Sequence, residues 1–369
     1  MIEQIKYAPI IKTGDAELKA LANLDSKDKS LIFPIIELTR GKKSRNDTIG
    51  NLDKRINKLK EINLNGFFLD LTGDDVLSNI EIDILRSDTD GYKSWCNYCK
   101  KLKDIFPGML PVIQIEESTD YTSYLNNLLQ QVQSLLQEFE IILFRSQDEN
   151  SSINIISDIK EILMKDTTIS PDRICYLLDY RFIKDDITGV NSATKFIDVL
   201  YNKLNIRNII VSSTSFPNSV SEELEEDDLS GHLPMKEISF FNKIKSSIEN
   251  ASNLNMIYSD YASINPIRND TVTMARGWIP RIDIPTFSNN IEIIRKKRKN
   301  SNYADRYKEV AYQVVQKEYF QNLQNKIHCW GIDEIIKASQ GNVSGSTPQF
   351  WISVRMNIYL NLMLNKFYH

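Results

Sequence analysis

Short β-branched or aromatic runs recur along the chain, each closing on polar residues and each followed by a stretch with helical periodicity. Eight runs stand out, at 7–12, 31–37, 66–70, 110–116, 141–145, 174–179, 208–212 and 256–260. They are almost continuously apolar, as strands covered on both faces must be, rather than alternating like a half-exposed antiparallel sheet. Between them the periodicity predicts helices over 15–24, 47–62, 92–106, 121–137, 152–165, 192–204 and 234–252. Thr13, Asp15, Asn46 and Ser192 are short polar residues suited to capping helix starts. Strand and helix alternate at the spacing of successive βα units, which predicts an α/β fold of the (β/α)8 TIM-barrel type over 1–265. A doubly wound open sheet is the rival, but the first turn, Thr13-Gly14-Asp15-Ala16, lacks the glycine-rich fingerprint usual there.

The pattern changes after residue 265. Two short strands at 278–285 and 290–295 flank a polar turn and predict a β-hairpin, followed by helices over 303–326, 331–339 and 348–366. Trp330, Phe350, Trp351, Tyr359 and Leu360 are spaced for a packed face, so 266–369 reads as a hairpin and helical cap packed on the barrel. The acidic run at 222–228 reads as a solvated loop.

Composition sharpens this picture in three places. Only 13 Gly and 11 Pro occur in 369 residues, which disfavours a many-turned all-β fold and suits long crossover helices. A net charge of −4 is too balanced for a nucleic-acid binder defined by global charge, so any basic surface is local. Four cysteines in so long a chain do not form a secreted-type framework, and Cys96 and Cys99 read as one-turn spacing on a helix. The first residues lack a signal-peptide pattern and no apolar run approaches about 18 residues, so the expectation is a cytoplasmic protein without a membrane span.

In a barrel of this type the C-terminal strand ends and the loops after them build the site. Here those positions hold Lys12, Glu37, Asp70, Gln114 and Glu116, Arg145, Asp179 and Arg181, Ser212 and Ser213, and Asp260. So many charges around one ring must pair or bind ligand. None of the three histidines, His232, His328 and His369, ends a strand, which argues against His-ligated zinc and against a Ser-His-Asp triad. Carboxylates without histidine suit Mg²⁺ or Mn²⁺, with Glu37, Asp70 and Glu116 as the ligand set if a metal binds. Lys12, Glu37, Asp70, Glu116 and Asp179 form the expected catalytic set. Arg40, Arg145, Arg181, Ser212, Ser213 and Asp260 are expected to hold substrate, the cations facing phosphate. A glycosidase with two carboxylates and a Schiff-base role for Lys12 rank lower. The basic runs 40–45 and 295–299 are candidate phosphate or nucleic-acid contacts, the first adjoining Glu37.

Several segments together resemble a known family: Tyr7-Ala-Pro-Ile-Ile-Lys12 with Glu17-Leu-Lys-Ala-Leu21, Phe33-Pro-Ile-Ile-Glu-Leu-Thr-Arg40, Pro280-Arg-Ile-Asp283, Cys329-Trp-Gly331 and Pro348-Gln-Phe-Trp-Ile-Ser-Val-Arg355. The chain is similar to the beta-protein family, named after a bacteriophage protein and found also in bacteria at mobile and defence-associated loci. The resemblance implies a cytoplasmic role in phage–host conflict and points to Lys12, Glu17, Glu37, Arg40, Arg281 and Asp283, adding Arg281 to the substrate-binding set. It implies no particular reaction. The expectation is thus a defence or conflict component, either a metal-dependent hydrolase or phosphodiesterase acting on a nucleotide or nucleic acid, or a non-catalytic sensor or binding subunit working with a protein partner from the same locus.

Overall fold

A computed structural model describes residues 2–45, 47–116, 118–220, 223–224, 229–249, 251–267, 277–297 and 301–368. The chain forms a mixed α/β fold divided into two compact units, the first comprising Met1–Thr13, Ile32–Ser213 and Glu237–Asp260, the second Gly14–Leu31, Thr214–Lys236 and Tyr261–His369. Where the sequence places one boundary at 265, the second unit gathers three separate stretches.

The first unit holds two four-stranded parallel sheets. One runs β1 (Ile10–Lys12), β2 (Ile35–Leu38), β3 (Phe67–Leu71) and β4 (Met109–Pro111) in that order. The other runs β5 (Ile142–Ser146), β6 (Ile174–Phe182), β7 (Asn208–Thr214) and β9 (Asn255–Ser259), the intervening β8 (Ser230–Pro234) lying in the second unit. Their outer strands are bridged at both seams. Val112 pairs with Leu143, and the Ile113 N–H donates to the Leu143 carbonyl at 2.8 Å. Tyr7 pairs with Tyr258, and the N–H groups of Ala8 and Ile10 donate to the carbonyls of Tyr258 and Asp260 at 2.9 and 2.7 Å.

Helices α1 (Asp15–Ala22) and α2 (Ser26–Leu31) belong to the second unit; α3 (Asp53–Ile62), α4 (Ile80–Arg86), α5 (Thr89–Lys103), α6 (Tyr121–Glu138), α7 (Glu149–Lys165), α8 (Val190–Leu204) and α9 (Glu237–Ser247) belong to the first. Several starts differ from the periodicity. Helix α3 begins six residues late because the Asp47 carboxylate is spent on the preceding turn, accepting the N–H groups of Gly50 and Asn51, with Gly50 at a φ of 75°. Segment 234–252 starts late because its first residue completes β8. Thr13 does not cap: its Oγ1 accepts the Thr39 N–H at 2.9 Å. Ser192 lies inside the first turn of α8, its hydroxyl donating to the Gly189 carbonyl, and Asp15 follows the capping Gly14. Asn46 lies outside the described residues. Side chains that do cap include Asn79, Asp120 and Asp148 and, in the second unit, Asp25, Asn302 and Thr347.

The second unit contains the expected hairpin, β10 (Arg281–Pro285) against β11 (Asn290–Arg295), with β8 as an unforeseen third antiparallel strand. The acidic run beside β8 lies largely outside the described residues. Helix 303–326 breaks at Gln316 and Lys317 into α10 (Tyr303–Val315) and α11 (Glu318–Gln324), followed by α12 (Trp330–Ser339) and α13 (Pro348–Tyr368). Helix α13 is apolar around most of its circumference and correspondingly buried, as an interior helix must be. Its buried Asn357 satisfies three backbone groups, donating to the carbonyls of Ala20 and Asn23 and accepting the Gly331 N–H. Gly331 is needed there, since a Cβ would lie 2.6 Å from the Val354 carbonyl. Among the described residues no helix is long and apolar enough to cross a membrane.

Candidate functional site at the strand ends

Side chains alternate faces along a strand, so the helix contacts reveal which residues face the opposite way. In β5 the Ser146 hydroxyl accepts from Ser152 of α7, which turns Arg145 away from the helices. In β6 and β9, Tyr180 and Tyr258 pack on Phe240 and Phe241 of α9, which turns Asp179 and Ser259 away. Ser212 stands opposite Ser259 in register and shares its face, as Lys12, Glu37 and Asp70 share theirs. Gln114, just beyond β4, donates to Asp70. Each of the eight parallel strands among the described residues therefore contributes a polar residue in its C-terminal half or just beyond its end: Lys12, Glu37, Asp70, Gln114, Arg145, Asp179, Ser212 and Ser259.

Arg145 ties this set together. Its Nη1 donates to Glu37 Oε1 at 2.6 Å and to Asp70 Oδ2 at 2.7 Å, while Nη2 and Nε reach Asp179 Oδ2 at 2.7 and 3.2 Å. All four side chains are buried. The remaining acceptor positions are partly filled: Asp70 Oδ1 takes the Gln114 amide and the Leu71 N–H, and Asp179 Oδ1 takes the Arg181 N–H. Gln114 is itself locked by paired hydrogen bonds between its backbone and the Gln131 amide, both at 2.8 Å. Burial pushes the Asp70 carboxyl up; Arg145 offsets part of this and neighbouring Glu37 adds to the rise. Lys12 sits more loosely, 3.8 Å from Glu37 Oε2 and 3.6 Å from Asp74 Oδ2, and with Asp74 it keeps 13% and 18% side-chain exposure.

The opposite arc differs. Ser212 and Ser259 are 0% and 1% exposed, and neither hydroxyl has a hydrogen-bond partner among the described residues. Two adjacent buried hydroxyls without partners are an exception to the general satisfaction of interior polar groups.

Several expected residues stand elsewhere. Glu116 is 40% exposed and pairs with Arg86 at 3.2 Å. The expected metal set of Glu37, Asp70 and Glu116 is therefore split, and no group of three His, Cys, Asp or Glu side chains suited to a metal occurs among the described residues. Arg40 directs its guanidinium to the backbone carbonyls of Val76 and Gly41. Arg181 contributes its backbone to Asp179 at a φ of 53°. Ser213 is buried on the other face from Ser212. Asp260 accepts the Tyr7 hydroxyl at 3.0 Å, and burial and that carboxylate push the Tyr7 phenol up. Arg281 lies in the second unit, where its Nε is 3.2 Å from Asp283 Oδ1 and Asp283 Oδ2 accepts from buried Arg355. Glu17 also lies in that unit. Of the basic run at 295–299, residues 298 and 299 are outside the described residues. Sequence reasoning missed Asp74, which belongs to a loop, and Ser259, which strand parity could have found once Tyr258 was assigned to the helix side.

The Beta protein family profile matches residues 7–365. "Protein beta" of Enterobacteria phage P4 is 26% identical over 362 residues, covering 97% of this chain and 93% of the phage protein. Among solved structures, a fungal beta-1,4-galactanase is similar at 10% identity with a TM-score of 0.44, covering 70% of this chain and 90% of the galactanase. The spore cortex-lytic enzyme SleL of Bacillus megaterium QM B1551 is similar at 10% identity with a TM-score of 0.30, covering 95% of this chain and 73% of that one.

Proposed function

The chain belongs to the Beta protein family, and from that premise and the state of the strand-end charges we propose that it is a non-catalytic binding component in phage–host conflict. Its first unit would recognise a ligand at the polar strand-end face. The conflict setting draws on the phage origin of a relative that aligns along nearly its whole length. The same reading takes the two parallel sheets as halves of one closed (β/α)8 barrel. The seam hydrogen bonds support closure, as does Arg145 of one sheet reaching Glu37 and Asp70 of the other. A cytoplasmic protein partner from the same locus completes the proposal.

One observation carries the binding reading. The Arg145 guanidinium is taken up by Glu37, Asp70 and Asp179, so this cation of the strand-end face is committed internally. A phosphate brought to this face would meet three buried carboxylates and would have to break short, buried ion pairs, which are costly to open. A hydrolytic reading has one observation in its favour: two carboxyl groups, Glu37 and Asp70, share Arg145 Nη1, and burial pushes the Asp70 carboxyl up.

The test is turnover. Wild type and Glu37→Gln are incubated with ribonucleotides, deoxyribonucleotides and single-stranded nucleic acid in Mg²⁺ or Mn²⁺, alongside phage plating on cells with and without the protein. The expected result is altered plating with no product from any substrate. Metal-dependent release of phosphate or cleaved strand by wild type, absent in Glu37→Gln, would replace this reading with the hydrolytic one.

A further inference from the structure

The polar face has an unequal charge balance and an unequal hydrogen-bond balance, and the two together define a ligand. Among the described residues Lys12 and Arg145 bring two cations against four carboxyl groups, those of Glu37, Asp70, Asp179 and the nearby Asp74; even with Asp70 set aside, whose carboxyl burial pushes up, the carboxyls outnumber the cations. Acceptors therefore exceed cations. Along the strand order, Ser212 and Ser259 stand between Asp179 and Lys12, and their hydroxyls are left without partners among the described residues. Register holds the two side by side, so their oxygens offer a paired acceptor site next to a carboxylate-rich arc.

We propose that this face binds an organic cation, an alkylammonium or guanidinium group, whose N–H donors are accepted by the Ser212 and Ser259 hydroxyls while its charge offsets the carboxylate excess. The assignment deepens the binding reading above and rests on it. A nitrogen cation answers both imbalances at once: it supplies several donors and one positive charge, whereas an anion adds to the carboxylate excess. Lys12 and Asp74 are the more exposed members, so the cation enters past them. The group is either a free small amine or the tip of a lysine or arginine side chain from a protein partner.

The experiment is titration calorimetry on the full chain at constant ionic strength with n-butylammonium, methylguanidinium, inorganic phosphate, and end-blocked tripeptides centred on lysine or arginine. The comparison is the Ser212→Ala/Ser259→Ala double variant, which removes two oxygens with little change of shape; thermal scans verify its folding. Saturable binding of a cation, weakened about fivefold or more in the double variant, is expected from the loss of net hydrogen bonds. A tripeptide that binds more tightly than the free ion of the same headgroup assigns the side-chain source; the reverse assigns the free amine. Preferential phosphate binding, no cation binding, or unchanged affinity in a folded double variant would each overturn the assignment. Cation binding accompanied by turnover would keep this site and remove the non-catalytic reading, whereas absence of both would remove this site alone.

Discussion

Replacing Arg145 with methionine isolates the energetics of the charged arc. Methionine fills much of the same volume but leaves Glu37, Asp70 and Asp179 buried without their shared guanidinium. Removing one partner from a buried ion pair costs about 3–5 kcal/mol. With about 2–4 °C of midpoint per kcal/mol for units of 150–250 residues, the first unit's melting transition should fall by about 6–20 °C at pH 7.5. The pH dependence is the sharper signature. Without Arg145, the burial that already pushes the Asp70 carboxyl up acts without that offset, so its folded-state pKa lies further above its unfolded value. Between those limits the folded state holds more protons than the unfolded state, so stability falls as pH rises and is regained on acidification, by about 1.4 kcal/mol per pH unit as that carboxyl titrates. Thermal scans of wild type and variant at pH 5.5 and 7.5 read both effects. A deficit below about 1 kcal/mol at pH 7.5 would refute the buried cluster, since an exposed pair contributes no more than that. A deficit equal at the two pH values would refute the assigned protonation chemistry.

Two further predictions address the scaffold. Asp148→Ala removes the capping box at the start of α7, in which Asp148 accepts the Ser151 N–H and Ser151 returns a bond to the cap backbone; a loss of about 1 kcal/mol is expected, and an unchanged melting transition would show that the cap is dispensable. Asn357→Leu strands the Gly331 N–H and the Ala20 and Asn23 carbonyls inside the second unit. The cost is about 1–3 kcal/mol for each group left unsatisfied, and a midpoint within 1 °C of wild type would show that water or relaxation replaces the amide.

The order of the elements was legible because it rests on local chemistry. Runs such as Ile35-Ile-Glu-Leu38 and Ile142-Leu-Phe-Arg-Ser146 are apolar on both faces up to a polar end, and only buried parallel strands between helices use that pattern economically. Boundaries were less legible where side chains had competing uses. Asp47 could cap or close a turn, and Thr13 could cap or bond a neighbouring strand; the choice depends on what lies across from each. The strand β8 was missed because Ser230-Gly-His-Leu-Pro234 has little strand propensity of its own and is held by pairing with β11.

Residue types alone determined that most of the parallel strands carry charge near their ends, because an apolar run that stops at a carboxylate or guanidinium says so in the sequence. Which of those charges meet was decided by the tertiary structure. Arg145 finds its partners 34, 75 and 108 residues away, distances over which no sequence pattern specifies a contact. The pleat separates Ser212 from Ser213 and Ser259 from Asp260: each pair is adjacent in the chain, yet strand parity sends one member to the polar face and the other to the opposite face. Glu116 and Arg40, equally charged and equally close to strand ends, fall outside the cluster because their loops carry them to Arg86 and to the Val76 carbonyl. Charge at a strand end is a local property; its pairing in a buried layer is fixed by register and packing.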